Sequence, residues 1–177
     1  LFSFLKPRPT QESPVPPTIP DGQRVYAIGD IHGCDNLFAD LLGKIEADNA
    51  NRGPAHTTLI LLGDLVDRGP YSAQVVERAI GLGAPFDSVR LLIGNHEECF
   101  LSALSGDRSR VRYFFRIGGD TTIRSYWGDD ASYEAASLDE LADGLADRVP
   151  NAHIDFLRNG EDLIRIGNYV FVQDRKS

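Results

Sequence analysis

The chain has 177 residues, 42% of them apolar and 25% charged, which fits one globular domain and excludes collagen, coiled coil and disorder for the bulk of it. A net charge of −8 argues against a broad basic face for nucleic acid or an anionic membrane, and suits a protein that gathers carboxylates around cations. Two cysteines, Cys34 and Cys99, are too few for a disulfide framework and point to a reducing, cytoplasmic setting.

Residues 1–20 read as a flexible tail, since six of the ten prolines fall there and deny the backbone both donors and helical freedom. The apolar start at Leu1, Phe2, Phe4 and Leu5 is too short for a signal-peptide core. No later stretch reaches the roughly 18–20 apolar residues of a membrane span. Residues 21–177 then form one domain. Val25–Ile28 reads as a buried strand. Leu37, Leu41, Leu42 and Ile45 share one helical face. Leu59–Leu62 is a second strand, and Ser72 is expected to cap a helix that buries Val75, Val76, Ala79 and Ile80. Val89–Ile93 is a third strand. Helices are expected over Glu97–Leu104 and Arg110–Arg116, the latter stopped by Gly118-Gly119. Ser137 and Glu140 form a capping box that opens a helix toward Val149, and another spans Ala152–Arg158. Leu163–Ile166 and Tyr169–Val172 flank Gly167-Asn168 as a hairpin. Strand–helix alternation of this kind predicts an α/β domain built from βαβ units.

Chemistry collects where the first three strands end. The first leads into Gly29-Asp30-Ile31-His32-Gly33, the second into Gly63-Asp64-Leu65-Val66-Asp67-Arg68-Gly69, the third into Gly94-Asn95-His96-Glu97. Ligands of open α/β sheets bind at the carboxyl ends of strands, so these residues converge on one rim. One Gly-Asp pair is only a turn. Three in order, mixing carboxylates with imidazoles, suit divalent ions such as Mn²⁺, Fe²⁺ or Zn²⁺. An arginine beside them can grip a phosphate, a histidine can protonate a leaving group and an aspartate can orient that histidine. These are the parts of a two-metal phosphoesterase.

The three motifs resemble the signature of calcineurin-like metallophosphoesterases, over most of residues 21–172. Asp67-Arg68-Gly69 and the Glu97 after His96 resemble the bacterial phosphoprotein serine/threonine phosphatase branch. That resemblance implies a β-sandwich flanked by helices and two bound divalent ions, Mn²⁺ first, Fe²⁺ or Zn²⁺ otherwise. It implies Asp30 and His32 on the first ion, Asp64 bridging both and Asn95 on the second. His96 becomes the general acid paired with Asp67, Arg68 the phosphate holder, and a metal-bridging hydroxide the nucleophile. The expected substrate is a phosphoprotein or phosphopeptide, with phosphoserine or phosphothreonine first and phosphotyrosine second; no nucleic-acid or membrane partner is expected, and the oligomeric state is open. Symmetrical dinucleoside tetraphosphatases share much of the pattern but resemble the chain less at positions 32 and 67. A dinucleoside polyphosphate or small phosphodiester hydrolase is therefore the alternative.

The chain departs from the resemblance after Tyr169–Val172. A histidine of the second metal site is expected there, and Gln173-Asp174 stands instead. A further histidine is expected beyond. The domain therefore reads as incomplete at its C-terminus, with a non-catalytic metal- or phosphate-binding module as a further alternative. His56 and His153 are expected to be surface or capping residues. Cys34 reads as a small buried thiol, and Trp127 and Tyr113-Phe114-Phe115 as core.

Overall fold

A computed structural model describes residues 16–174 of the chain. Residues 1–15, most of the expected tail, lie outside that range. Of the remaining tail, Thr18 lends its carbonyl to the Asn168 backbone N–H at 3.2 Å.

Strands β1 (Gln23–Ile28), β2 (His56–Leu61) and β3 (Ser88–Leu91) form a parallel sheet in that order, with β2 in the middle. Helix α1 (Asp35–Asn51) crosses from β1 to β2, and α2 (Ser72–Ile80) from β2 to β3. The middle strand is buried along Thr57-Thr58-Leu59-Ile60-Leu61, as expected of a parallel strand covered on both faces. Alternation decides which cover each residue meets. Leu59 and Leu61 join the larger core with Phe38, Leu42, Val75, Val76 and Phe100. Ile60 joins a smaller core with Leu92 and Ile164, beneath the antiparallel hairpin β4 (Ile164–Ile166) and β5 (Tyr169–Phe171). Backbone bonds of Glu161 to Leu91 and Ile93 dock that hairpin beside β3. The α/β architecture expected from the alternation is the one observed.

After β3 the chain is helical: α3 (Asn95–Ala103), α4 (Arg108–Phe114), a π-helical turn (Phe115–Gly119), α5 (Asp120–Trp127), α6 (Asp130–Ala135), α7 (Leu138–Arg148) and α8 (Asn151–Arg158). The Ser137–Glu140 capping box opens α7 as expected. The helix expected over Arg110–Arg116 is α4, which gives way to the π-helical turn because Gly118 swings to φ +99°. Phe100 stacks on Phe114 and on Tyr126, at 5.5 Å between ring centroids in both cases, and ties α3, α4 and α5 together.

Three expectations change. Tyr113 is exposed, while Phe114 and Trp127 are core. His153 is buried: its Nε2–H donates to Glu77 at 2.8 Å and its Nδ1 accepts from the Tyr126 hydroxyl at 2.8 Å, which satisfies both ring nitrogens inside the helical layer. Ser72 is the first residue of α2 rather than its cap, because its hydroxyl is engaged with Asp67. No helix among the described residues is long and apolar enough to cross a membrane.

Candidate metal centre

Each strand of the parallel sheet delivers a loop to the same rim, and the loops are sewn together through their backbones. The Ile31 and His32 N–H groups donate to the Asp64 carbonyl at 3.1 and 2.9 Å, and Gly33 N–H donates to Leu65 at 2.8 Å. Gly33 and Gly69 pass so closely that a side chain at Gly69 would stand 2.3 Å from the His32 carbonyl oxygen. His32, Asp64, Asp67 and Arg68 are the non-glycine residues with left-handed φ among those described, at +45°, +53°, +73° and +67°. Backbone strain is thus concentrated on four of the residues singled out by the motifs.

Glu97 holds this strained backbone. It is fully buried, and its carboxylate accepts from the Asp64 and Gly94 N–H groups at 2.8 and 2.9 Å and from Leu65 at 2.7 Å. Burial pushes its carboxyl up to about 7, against the pull of those donors. The sequence shows Glu97 as a motif residue at a helix start, with no structural role attached to it. Gly94-x-x-Glu97 is also a capping-box spacing, and that is the signal which could have found it.

His32, Asp64 and His96 offer ligand atoms within 4.8 Å of one another. The Nδ1–H of His32 donates to the Val66 carbonyl at 2.8 Å, which leaves Nε2 as the lone-pair nitrogen. That Nε2 is buried without a hydrogen-bond partner. A buried acceptor without a partner, on a residue whose ligand atoms cluster with those of a carboxylate and with its tautomer set by a backbone carbonyl, suits a metal ligand. The donor set therefore fits a divalent cation at Asp64.

His96 meets the Asp67 carboxylate through Nδ1 at 2.6 Å, with both side chains buried. This bond raises the His96 pKa, helped by the charges of Asp67 and Asp64, while burial and, more weakly, Arg68 oppose protonation. Asp67 is fixed in turn by residues that the motifs do not contain. The Thr122 hydroxyl donates to Asp67 Oδ1 at 2.6 Å and accepts from the Asp67 N–H at 2.8 Å. Because its proton goes to Asp67, the Ser72 hydroxyl must donate to Thr122, at 2.9 Å. Thr122 lies 55 positions from Asp67, and no spacing rule could link them.

The other expected site residues are spread along the rim and beyond it. Arg68 is exposed at the rim, its N–H bonded to Gly118 at 3.1 Å. Asn95 is half-buried at the first position of α3. Asp30 is exposed, is not one of the three residues whose ligand atoms cluster within 4.8 Å, and lines a depression with Cys34 and Leu37. Cys34 is half-buried rather than core. His56 begins β2 and is exposed. Gln173, standing where the resemblance places a histidine, reaches the rim: its side-chain amide lies 2.8 Å from Asp64 Oδ2.

A family model for calcineurin-like phosphoesterases matches residues 23–174. The chain belongs to that family. Members use divalent metals, which agrees with the donor set around Asp64. A protein named symmetrical bis(5'-nucleosyl)-tetraphosphatase, from Acidovorax ebreus, is 49% identical over 88 residues, covering 50% of this chain and 28% of its own length. One of the same name from Delftia acidovorans is 35% identical over 142 residues, covering 80% of this chain and 43% of its own. The chain thus spans less than half the length of these relatives. The crystal structure of a metallophosphoesterase from Sphaerobacter thermophilus aligns with 82% of this chain and 44% of its own, at 20% identity and a TM-score of 0.38.

These relatives overturn the expected phosphoprotein or phosphopeptide substrate and the protein phosphatase reading. The error has a physical source. The residue types at positions 32 and 67 suit a phosphoryl group whatever it is attached to, so they do not discriminate among substrates. The likeness to these relatives extends over the surrounding sequence as well.

Proposed function

We propose that this calcineurin-like phosphoesterase hydrolyses a phosphoanhydride in a dinucleoside polyphosphate. The observation that carries the reading is the 49% identity, over 88 residues, to a relative named symmetrical bis(5'-nucleosyl)-tetraphosphatase. The rim supports it, since its groups suit phosphoryl transfer to water.

In this reading His32, through Nε2, and Asp64 hold a divalent ion, with Asp30 and Asn95 as the family's further ligands. A divalent ion at such a site polarises a phosphoryl oxygen and makes water a better nucleophile. Arg68 grips a non-bridging oxygen of the polyphosphate through its guanidinium fork. His96, held by Asp67 through Nδ1, presents Nε2–H to the oxygen that leaves phosphorus, which departs as a nucleoside diphosphate. Asp67 keeps the imidazole oriented and favours its protonated form.

The test is to incubate the protein with bis(5'-adenosyl) tetraphosphate and Mn²⁺ and to separate the products. Cleavage at the middle anhydride gives two molecules of adenosine diphosphate. Intact substrate refutes the reading, and equal amounts of the mono- and triphosphate refute cleavage with a nucleoside diphosphate as the leaving group.

A further inference from the structure

Asp64 is the hub of the rim, and both its carboxylate oxygens are engaged. Oδ1 faces the His96 backbone N–H at 3.4 Å. Oδ2 meets the side-chain amide of Gln173 at 2.8 Å, across 109 positions of sequence. Gln173 gets there because β4 and β5 cover the second face of the sheet, and the chain leaving Phe171 runs toward the rim. It is half-buried, with its side-chain amide turned to the Asp64 carboxylate.

We propose that Gln173 is a ligand of the metal centre, acting through its side-chain carbonyl oxygen alongside Asp64 Oδ2. An amide carries its oxygen and nitrogen at nearly the same reach, and a half-turn about the last side-chain bond exchanges donor for acceptor. Without a cation, the NH₂ group is the end that suits a carboxylate. With a cation beside Asp64, the carbonyl is. The spacing accommodates the exchange: two oxygens on one octahedral edge, each about 2.1 Å from an ion, stand about 3 Å apart. The donor chemistry then differs from that of an imidazole. Asp64 and Gln173 supply hard oxygens, with the Asn95 carboxamide at the start of α3 as a third of the same type, and such a set favours Mg²⁺ or Mn²⁺ over Zn²⁺.

The claim concerns metal binding and is tested without turnover. Mn²⁺ is titrated into the chelator-treated chain and free ion is monitored by electron paramagnetic resonance. Gln173→Ala is expected to weaken Mn²⁺ binding at least about tenfold, and Gln173→His to raise the preference for Zn²⁺ over Mn²⁺ by a similar factor. In a ¹⁵N spectrum of the wild-type chain, the Gln173 side-chain NH₂ signal is expected to shift on saturation with diamagnetic Mg²⁺, as the NH₂ leaves the Asp64 carboxylate and the carbonyl turns to the ion. That measurement decides the matter should either variant fail to fold. Wild-type Mn²⁺ affinity in Gln173→Ala, an NH₂ signal unmoved by saturating Mg²⁺, or no divalent-ion binding by the wild-type chain overturns the proposal. A chain that binds Mn²⁺ through Gln173 yet leaves bis(5'-adenosyl) tetraphosphate intact refutes the functional reading alone.

Discussion

Thr122→Val isolates one hydroxyl in the support of the Asp67–His96 pair. Threonine and valine have nearly the same shape, so the substitution opens no cavity. It removes the donor to Asp67 Oδ1 at 2.6 Å and one of two acceptors for the Asp67 N–H, the other being Ser72 Oγ at 3.1 Å. It also strips the Ser72 hydroxyl of its acceptor. A hydrogen bond to a charged group contributes about 1.5–3 kcal/mol, and a buried polar group left half-satisfied adds up to about 1 kcal/mol. All of these atoms are buried, so water cannot substitute. The expected loss is about 2–4 kcal/mol of unfolding free energy. Urea unfolding monitored by the fluorescence of Trp127, buried at the end of the same helix, reads it directly. Thr122→Ser keeps the hydroxyl and gives up a methyl group, at about 1 kcal/mol. Hydrolysis of the tetraphosphate should fall at least about tenfold in the valine variant through kcat, since a loosened Asp67 no longer fixes the imidazole. A valine variant as stable as the wild type, or more stable than the serine variant, refutes the argument.

Glu97 titrates near 7 when folded and near 4.5 when unfolded, so the folded state holds its proton more tightly. Its contribution to stability is present below about pH 4.5 and is lost as pH rises toward 7, by about 3 kcal/mol. Urea midpoints of metal-free protein at pH 5 and pH 7.5 should show that slope, Glu97→Gln should flatten it, and equal slopes would contradict the assignment. Gly94→Ala would place a methyl group 2.1 Å from Asp64 Oδ1, so isothermal titration should find divalent-ion affinity sharply reduced; unchanged affinity would remove Asp64 from the centre. Phe100→Ala, at a fully buried ring stacked on two others, should cost about 3–5 kcal/mol in chemical denaturation, and a loss below about 1 kcal/mol would contradict the packing.

Much of the site was legible in the sequence because it is local. The apolar runs Val25–Ile28 and Leu59–Leu62 demand burial, and the residues next in the chain after a buried parallel strand must emerge at its carboxyl end. His32, Asp64, Asp67, Arg68 and His96 could therefore be assigned to one rim from three short motifs. The family came from the same motifs, as did the α/β class from strand–helix alternation. Those are consequences of period, burial and residue chemistry within a few positions of each other.

Tertiary structure alone decided everything that acts across long sequence separations. Glu97 looks like a helix-start acid until its carboxylate is found under the backbone of a loop 33 positions away. Ser72 reads as a helix cap and Thr122 carries no signal until α5 and α2 close around Asp67. His153 reads as a surface residue until Tyr126 and Glu77 satisfy both of its nitrogens. Gln173 reads as a missing histidine until the hairpin carries it to Asp64. In each case a polar group had to find a partner as water was removed, and which partner it found depended on how the layers packed.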